Sequence, residues 1–219
     1  MLKIVIFDGG FGGELFADQL EAELDVVEVI RVIDWRNAEK ILKSRREARI
    51  AAEKSLRPYF GKVDLIVFAN YLLSLTSLKY FTRKYPDQKF IGLNLKTPDT
   101  FLDYPTLILT TSQVSRTLSY YNFVHSIKRR TKTLALDDWT AKIDDGELTE
   151  SEISETLQTF LKTEKFIPEE IILAEANFVD IKPILKKLFK NIKIYDGFND
   201  AFRMVCKTLK LRGSITKRK

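Results

Sequence analysis

DLIVFANYLLSLTSLKYF (residues 64–81) and EIILAEANFVDIKPILKKLF (residues 170–189) read alike. Each opens with a short apolar run, passes through an alanine to a polar residue, Asn70 or Glu175, and continues with helical spacing. Four to six apolar residues closed by a polar one suit a strand buried on both faces, and the following pattern suits a helix packed back on it. Two further pairs repeat the relation. VEVIRVIDW, ending at Trp35, resembles KTLALDDW, ending at Trp139, and KIVIF with its turn resembles TLILTTSQVS. All three pairs lie roughly a hundred residues apart, as a duplicated unit would place them.

Between these landmarks, apolar runs alternate with helical stretches: KIVIF, VEVIRVI, DLIVFA, KFIGLN, TLILT, KTLAL, EIILA and IKIY are the strands. Alternation of this kind favours parallel α/β units. The expected architecture is α/β: two pseudo-symmetric parallel-sheet domains, over residues 1–96 and 97–206, with a cleft between them. A C-terminal helix at about 207–219 is expected to pack back on the first. A single continuous sheet is the alternative. Within the helical stretches, AEKILKSRREARIAAEKSLRPYF and VSRTLSYYNFVHSIKRR each read as one helix, and Thr149 with Glu152 forms a capping-box start.

The 219 residues, 45% hydrophobic and 30% charged, describe an ordinary globular chain with a formal charge of +6. The basic excess gathers at RREAR (45–49), KRR (128–130) and the tail KLRGSITKRK. Solvated helix faces account for it, and nucleic acid is the less favoured partner. Cys206 is the single cysteine, which excludes an internal disulfide and points to a reducing compartment. It falls on a helix face and reads as a buried, inert thiol. His125 reads as a surface or packing residue. No apolar run is long enough to span a bilayer, so the expectation is a soluble, cytoplasmic protein with no membrane partner.

In parallel α/β sheets ligands gather beyond the carboxyl ends of strands. Here those ends carry Asp8, Asp34, Asn70, Thr111, Asp137, Asp138 and Glu175. The turn after the first strand, DGGFGG, fits neither a Walker A loop nor G-x-G-x-x-G, because Leu15 stands at the last glycine position. Its glycines admit close approach of a carboxylate or phosphate to the helix N-terminus. Equally, Asp8 could cap that helix itself.

The stretch IVIFDGGFGGELFADQLEAEL resembles the opening of glutamate racemases and of the wider aspartate/glutamate racemase group, where an Asp-Ser-Gly turn precedes a Gly-Gly pair. Asp8, Gly9, Gly12 and Gly13 follow that pattern, with Gly9 in the serine's place. VIDWRNAEKILKSRREARI resembles the second strand with its closing aspartate, Asp34, although the Pro-Tyr-Gly that follows in the family is ILK here. VDLIVFANYLLS is similar to the strand ending in Ala-Cys-Asn-Thr, and LTTSQVSRTLSYY to the later Gly-Thr segment, keeping Thr111 and Tyr120. TAKIDDGELTESEI resembles the acidic Glu-x-Gly region, with Asp144 at the glutamate. IILAEANFVDIKPIL stands where Gly-Cys-Thr-His-Tyr-Pro is expected, and IKIYDGFNDAF resembles the closing strand with Asp196. The likeness covers nearly the whole chain in order.

The resemblance implies racemisation by two cysteines on opposite faces of a substrate. Those positions fall on Asn70 and Glu175, and the neighbouring histidine becomes Asn177. An amide has no useful proton-accepting state at neutral pH. A glutamate at its ordinary pKa of about 4.3 is a weaker base than a thiol at about 8.5 unless burial raises it. The leading expectation is a glutamate-racemase-like protein that binds a small carboxylate or amino acid in its cleft and has lost the two-cysteine chemistry. Its catalytic candidates are Glu175 and Asp8. The ligand-binding candidates are Gly9, Asp34, Asn70, Thr111, Asp144 and Asn177. No metal and no cofactor is expected, and homodimerisation, common in the family, stays open. The alternatives are an isomerase or lyase using Glu175 as a single base, and a basic module binding nucleic acid or protein.

Overall fold

A computed structural model describes residues 1–37, 44–95, 104–127 and 130–211. In chain order these form β1 (Leu2–Asp8), α1 (Phe11–Glu23), β2 (Val27–Ile33), α2 (Arg45–Leu56), β3 (Leu65–Phe68), α3 (Tyr71–Lys84) and β4 (Phe90–Gly92). There follow β5 (Thr106–Thr110), α4 (Ser112–Ser115), α5 (Leu118–Ser126), β6 (Thr131–Ala135), α6 (Asp137–Asp144), α7 (Glu150–Glu164), β7 (Glu170–Leu173), α8 (Lys182–Leu188), β8 (Lys193–Asp196) and α9 (Phe198–Thr208).

The strands make two four-stranded sheets, ordered β2-β1-β3-β4 and β6-β5-β7-β8, and every pairing is parallel. The single-sheet alternative is thereby set aside. Phe7 pairs with Phe68 in one sheet as Leu109 pairs with Leu173 in the other, so the two central strand pairs share one register. Asp8 then corresponds to Thr110, and Asn70 to Glu175.

Alternation along the central strands distributes side chains between three clusters. Val5 and Phe7 of β1 meet Ala48, Ala52 and Phe81 on one outer face, while Leu107 and Leu109 of β5 meet Trp139, Ile153 and Leu185 on the other. Ile4, Ile6, Ile108 and Ile172 face a third cluster that both sheets share, together with Phe16, Phe198 and Val205. Strands covered on both faces require nearly continuous apolar sequence, which is why they read so plainly. The last helix, α9, lies against the first half, with Phe198 edge-on to Phe16 at 5.1 Å.

Local chemistry sets several boundaries differently from the sequence expectation. Ser44 caps α2 through the Glu47 N–H, so this helix begins at Arg45; residues 38–43 of the expected longer helix lie outside the described residues. The stretch expected as one helix from Val114 divides, because Thr117 takes an extended backbone and caps α5 through the Tyr120 N–H. DDWTAKID forms α6, where only a strand end had been expected, so Asp137 and Asp138 occupy a first helical turn. Thr149 does cap α7 through the Glu152 N–H. The division at 96/97 and most of the basic tail lie outside the described residues. Among the described residues no helix is long and apolar enough to cross a membrane.

Candidate functional site

Parallel strands deliver their last residues to one edge, and the shared register brings four central strand ends together. Asp8 closes β1, Asn70 follows β3, Thr111 follows β5 and Glu175 follows β7. All four are buried, Asp8 to 3% exposure and Glu175 to 7%. Two hydrogen bonds tie them into pairs: the Asn70 amide donates to Asp8 Oδ1 at 3.0 Å, and the Thr111 hydroxyl donates to Glu175 Oε1 at 2.6 Å. Asn70 and Thr111 are also N-caps, accepting from the N–H groups of Leu73 and Val114. Capping fixes both side chains where the helices begin.

Asp8 is the more heavily engaged carboxyl. Besides Asn70, it accepts from the Gly9 N–H at 2.7 Å and the Gly13 N–H at 2.8 Å, so it closes the first turn of α1. A second acid, Asp144 at the end of α6, accepts from the Phe11 N–H at 3.2 Å. The helix N-terminus that the glycines could have offered to an incoming anion is therefore served largely by the chain's own carboxyls. The glycines act instead through close packing. A Cβ on Gly12 would stand 2.3 Å from the Ala176 Cβ, and one on Gly13 would stand 2.6 Å from the Asp8 Cβ.

Glu175 sits in a deeper electrostatic conflict. Burial, opposed by the Thr111 hydrogen bond and reinforced by the charges of Asp8 and Asp137, lifts its pKa to about 8. Burial also lifts Asp8, to about 7, against its hydrogen bonds from Asn70, Gly9 and Gly13. Amide donors favour the ionised form and so oppose the effect of burial at Asp8. Among the described residues, the leading charges acting on these two groups are those of other carboxyls, Asp144 on Asp8 and Asp8 with Asp137 on Glu175.

Around this centre, Asn177 donates to Asp144 Oδ1 and to the Thr140 carbonyl, both at 3.0 Å, linking the segment after β7 to α6. Asp144 is also raised by burial, with Asn177 opposing. Gly9 lies buried in the turn, giving its N–H to Asp8. Asp34 is placed apart in its chemistry: its carboxylate accepts from Asn37 and from Ser55 at 2.6 Å. Cys206 is half-buried on α9, against the shared core, and burial raises its pKa. His125 is exposed and stacks on Tyr121 at 3.8 Å. Among the described residues no group of three or more His, Cys, Asp or Glu side chains is placed to hold a metal.

Tyr71 is the site neighbour that sequence reading passed over. It is buried in the first turn of α3, directly after Asn70, and its hydroxyl lies where a Cβ on Gly197 would stand 2.4 Å away. Burial and the charges of Asp196, Tyr195 and Glu175 hold its proton firmly. Its position after a strand-closing polar residue was the available signal, but its apolar ring made it look like core.

No protein-family model and no curated protein matches the sequence. Solved structures do match in three dimensions. Escherichia coli glutamate racemase, in complex with L-glutamate and the activator UDP-MurNAc-ala, aligns with a TM-score of 0.81 at 17% identity, over 97% of this chain and 84% of that one. Glutamate racemase from Campylobacter jejuni aligns at 0.74 and 19% identity, over 100% and 89%. Allantoin racemase from Klebsiella pneumoniae aligns at 0.60 and 14%, over 96% and 89%. The chain therefore has the two-sheet parallel α/β fold of the glutamate and allantoin racemases.

Proposed function

We propose that the cleft at the four strand ends binds a small amino acid or related small carboxylate, and that the two-thiol racemisation implied by the resemblance is lost. The supporting observation is the convergence of Asp8, Asn70, Thr111 and Glu175, buried and paired by hydrogen bonds. Asn70 and Glu175 stand at the strand-end positions where the resemblance calls for cysteine, and Cys206 lies on α9. The acidic surroundings favour an amino acid over a simple carboxylate, since an ammonium would relieve the repulsion among Asp8, Glu175 and Asp137. The same reading divides the chain into lobes over 1–96 and 97–206. Gly9, Asp144 and Asn177 support the walls, and Asp34 takes no direct part.

The test is a thermal-shift series with both enantiomers of glutamate and aspartate, repeated on Glu175→Gln and Asn70→Ala. One amino acid should raise the melting temperature of the wild type and do so less in both variants. Failure of every small amino or carboxylic acid would end the proposal.

A second reading gains from a particular observation. With its pKa near 8, Glu175 titrates close to neutrality, where a general acid or base works best. It would serve as a single proton-transfer group in an isomerase or lyase reaction. Such a base acts when ionised, so solvent deuterium incorporation into substrate should rise with pH through about 8 and vanish in Glu175→Gln. Equal exchange in the two proteins would remove this reading.

A further inference from the structure

Away from the strand ends, α2 and α3 pack side by side and leave a groove of about 540 Å³ between them, lined by Arg49, Thr76, Lys79, Tyr80, Arg83 and Lys84. Four of its six lining residues are cationic. Arg45, one turn before Arg49, adds a further positive charge that presses on Arg49 and, after burial, lowers its pKa. Glu53 answers this excess, and both its oxygens are taken by Lys84 at 2.8 Å. Lys79 and Arg83 make no ion pair among the described residues. The groove thus gathers more positive charge than it neutralises.

Its arginine is held in advance. Arg49 donates through Nη2 to the Thr76 carbonyl at 2.7 Å and through Nε to Ser77 Oγ at 3.2 Å, and its guanidinium lies 4.6 Å from the centre of the Tyr80 ring. A guanidinium already fixed in place loses little freedom when it takes an oxyanion, and the outer edge of Arg49, beyond the Nε and Nη2 donors given to Ser77 and Thr76, lies with exposed Lys79 and Arg83 in one groove, a set of separate cationic donors that suits adjacent phosphates better than a lone carboxylate. The Tyr80 ring is engaged by Arg49 and by Lys84, 5.4 Å from its centre, so it is not a free platform for a nucleobase.

We propose that this groove is a binding site for a small anion carrying adjacent phosphate groups, recognised through its phosphates alone. The site is separate from the strand-end cleft and does not depend on what that cleft binds.

Inorganic tripolyphosphate is the probe, followed by calorimetry and by amide chemical shifts on the full chain. Binding at about 50 mM salt should weaken at least several-fold at about 200 mM, as screening of exposed charges requires, and should move the amides of residues 76–84. Lys79→Glu with Arg83→Glu, both exposed positions, should weaken it about tenfold or more. Lys186→Glu with Lys190→Glu, which makes the same change of net charge on the opposite half, should leave it within about twofold. A nucleoside triphosphate should bind like tripolyphosphate, and citrate, with carboxylates in place of phosphates, more weakly. No binding at low salt, equal loss in the two double variants, shifts confined elsewhere, equal affinity for citrate, or a nucleotide preferred about tenfold or more would each overturn the assignment.

Discussion

The two halves share a register and differ in what they place on it. In the first, the central strand β1 ends in an acid, Asp8, and its neighbour β3 is followed by an amide, Asn70. In the second the order is exchanged: Thr110 stands at the position of Asp8, and Glu175 at that of Asn70. The uses differ as well. Asp8 spends its oxygens on three amide donors and holds a helix end, whereas Thr110 gives a long 3.5 Å bond to the Ala174 carbonyl. Asn70 caps a helix, and Glu175 hydrogen-bonds to a neighbouring threonine. Duplication of a backbone therefore delivers equivalent positions, and local donors decide which of them also holds a helix end, while burial raises both acids toward neutrality.

Truncating the equivalent residues should break the symmetry most visibly. Asp8→Ala strands the Gly9 N–H and the Asn70 amide and leaves the Gly13 N–H only its longer 3.3 Å bond to the Gly10 carbonyl, and should cost about 4 kcal/mol in urea unfolding, since each unsatisfied buried donor carries its own penalty. Thr110→Ala loses one weak bond and should cost about 1 kcal/mol. Similar losses at the two sites would mean that Asp8 does not anchor α1.

Glu175 should reveal itself through pH. Its native pKa is raised from 4.5 to about 8, so the native state holds the proton more tightly than the unfolded chain. The associated stability is complete below the unfolded value and is lost as pH rises toward and through about 8. Asp8, raised to about 7, adds a loss of the same sign over a lower window. Glu175→Gln keeps the shape of the protonated acid and should flatten the decline, leaving the variant on the order of 3 kcal/mol more stable than wild type at about pH 9. Parallel stability curves for the two proteins would show that Glu175 ionises freely.

Contact between the halves gives a smaller effect. Gly12→Ala would place a Cβ 2.3 Å from that of Ala176 and 2.8 Å from backbone atoms, so α1 must retreat from the segment after β7. Overpacking of this kind should cost about 2 kcal/mol and should also loosen the hold of Asp8 on Gly13. Unchanged stability, measured in the same urea series, would mean that the two segments separate without loss.

These differences were unequally legible in the sequence. The eight strands were plain because β1, β3, β5 and β7 are covered on both sides; strand ends pointed to seven polar residues, and the family resemblance singled out Asp8, Asn70, Thr111 and Glu175 among them. α6 was hidden because DDWTAKID is short, charged and continuous with an apolar run. The repeat was misjudged by two residues where tryptophan was used to align it. Pairing of Asp8 with Ile33 and of Thr110 with Ala135 sets Asp34 against Leu136, not against Asp138. Trp35 is accordingly 49% exposed and Trp139 only 4%, so they share a letter and not a place. The link from Asn177 to Asp144, the burial of Tyr71 and the raised pKa of Glu175 depend on packing between distant segments, which no local pattern records.

That offset makes Asp34 the mildest test of the comparison. Its counterpart, Leu136, is a buried core residue that starts α6, whereas Asp34 is half-buried and accepts from Asn37 and from Ser55 of α2. Its backbone N–H donates to the Asp8 carbonyl at 2.8 Å, as the N–H of Leu136 does to Thr110, and a side-chain change leaves that bond intact. Asp34→Ala should therefore cost about 1 kcal/mol, because the two side chains that lose their acceptor, Asn37 and Ser55, are only half-buried and can turn to water, and should leave amino-acid binding at the strand ends unchanged. A drop in ligand affinity without a matching drop in stability would put Asp34 inside the cleft's chemistry and make the two halves more alike at their second strands than their registers imply.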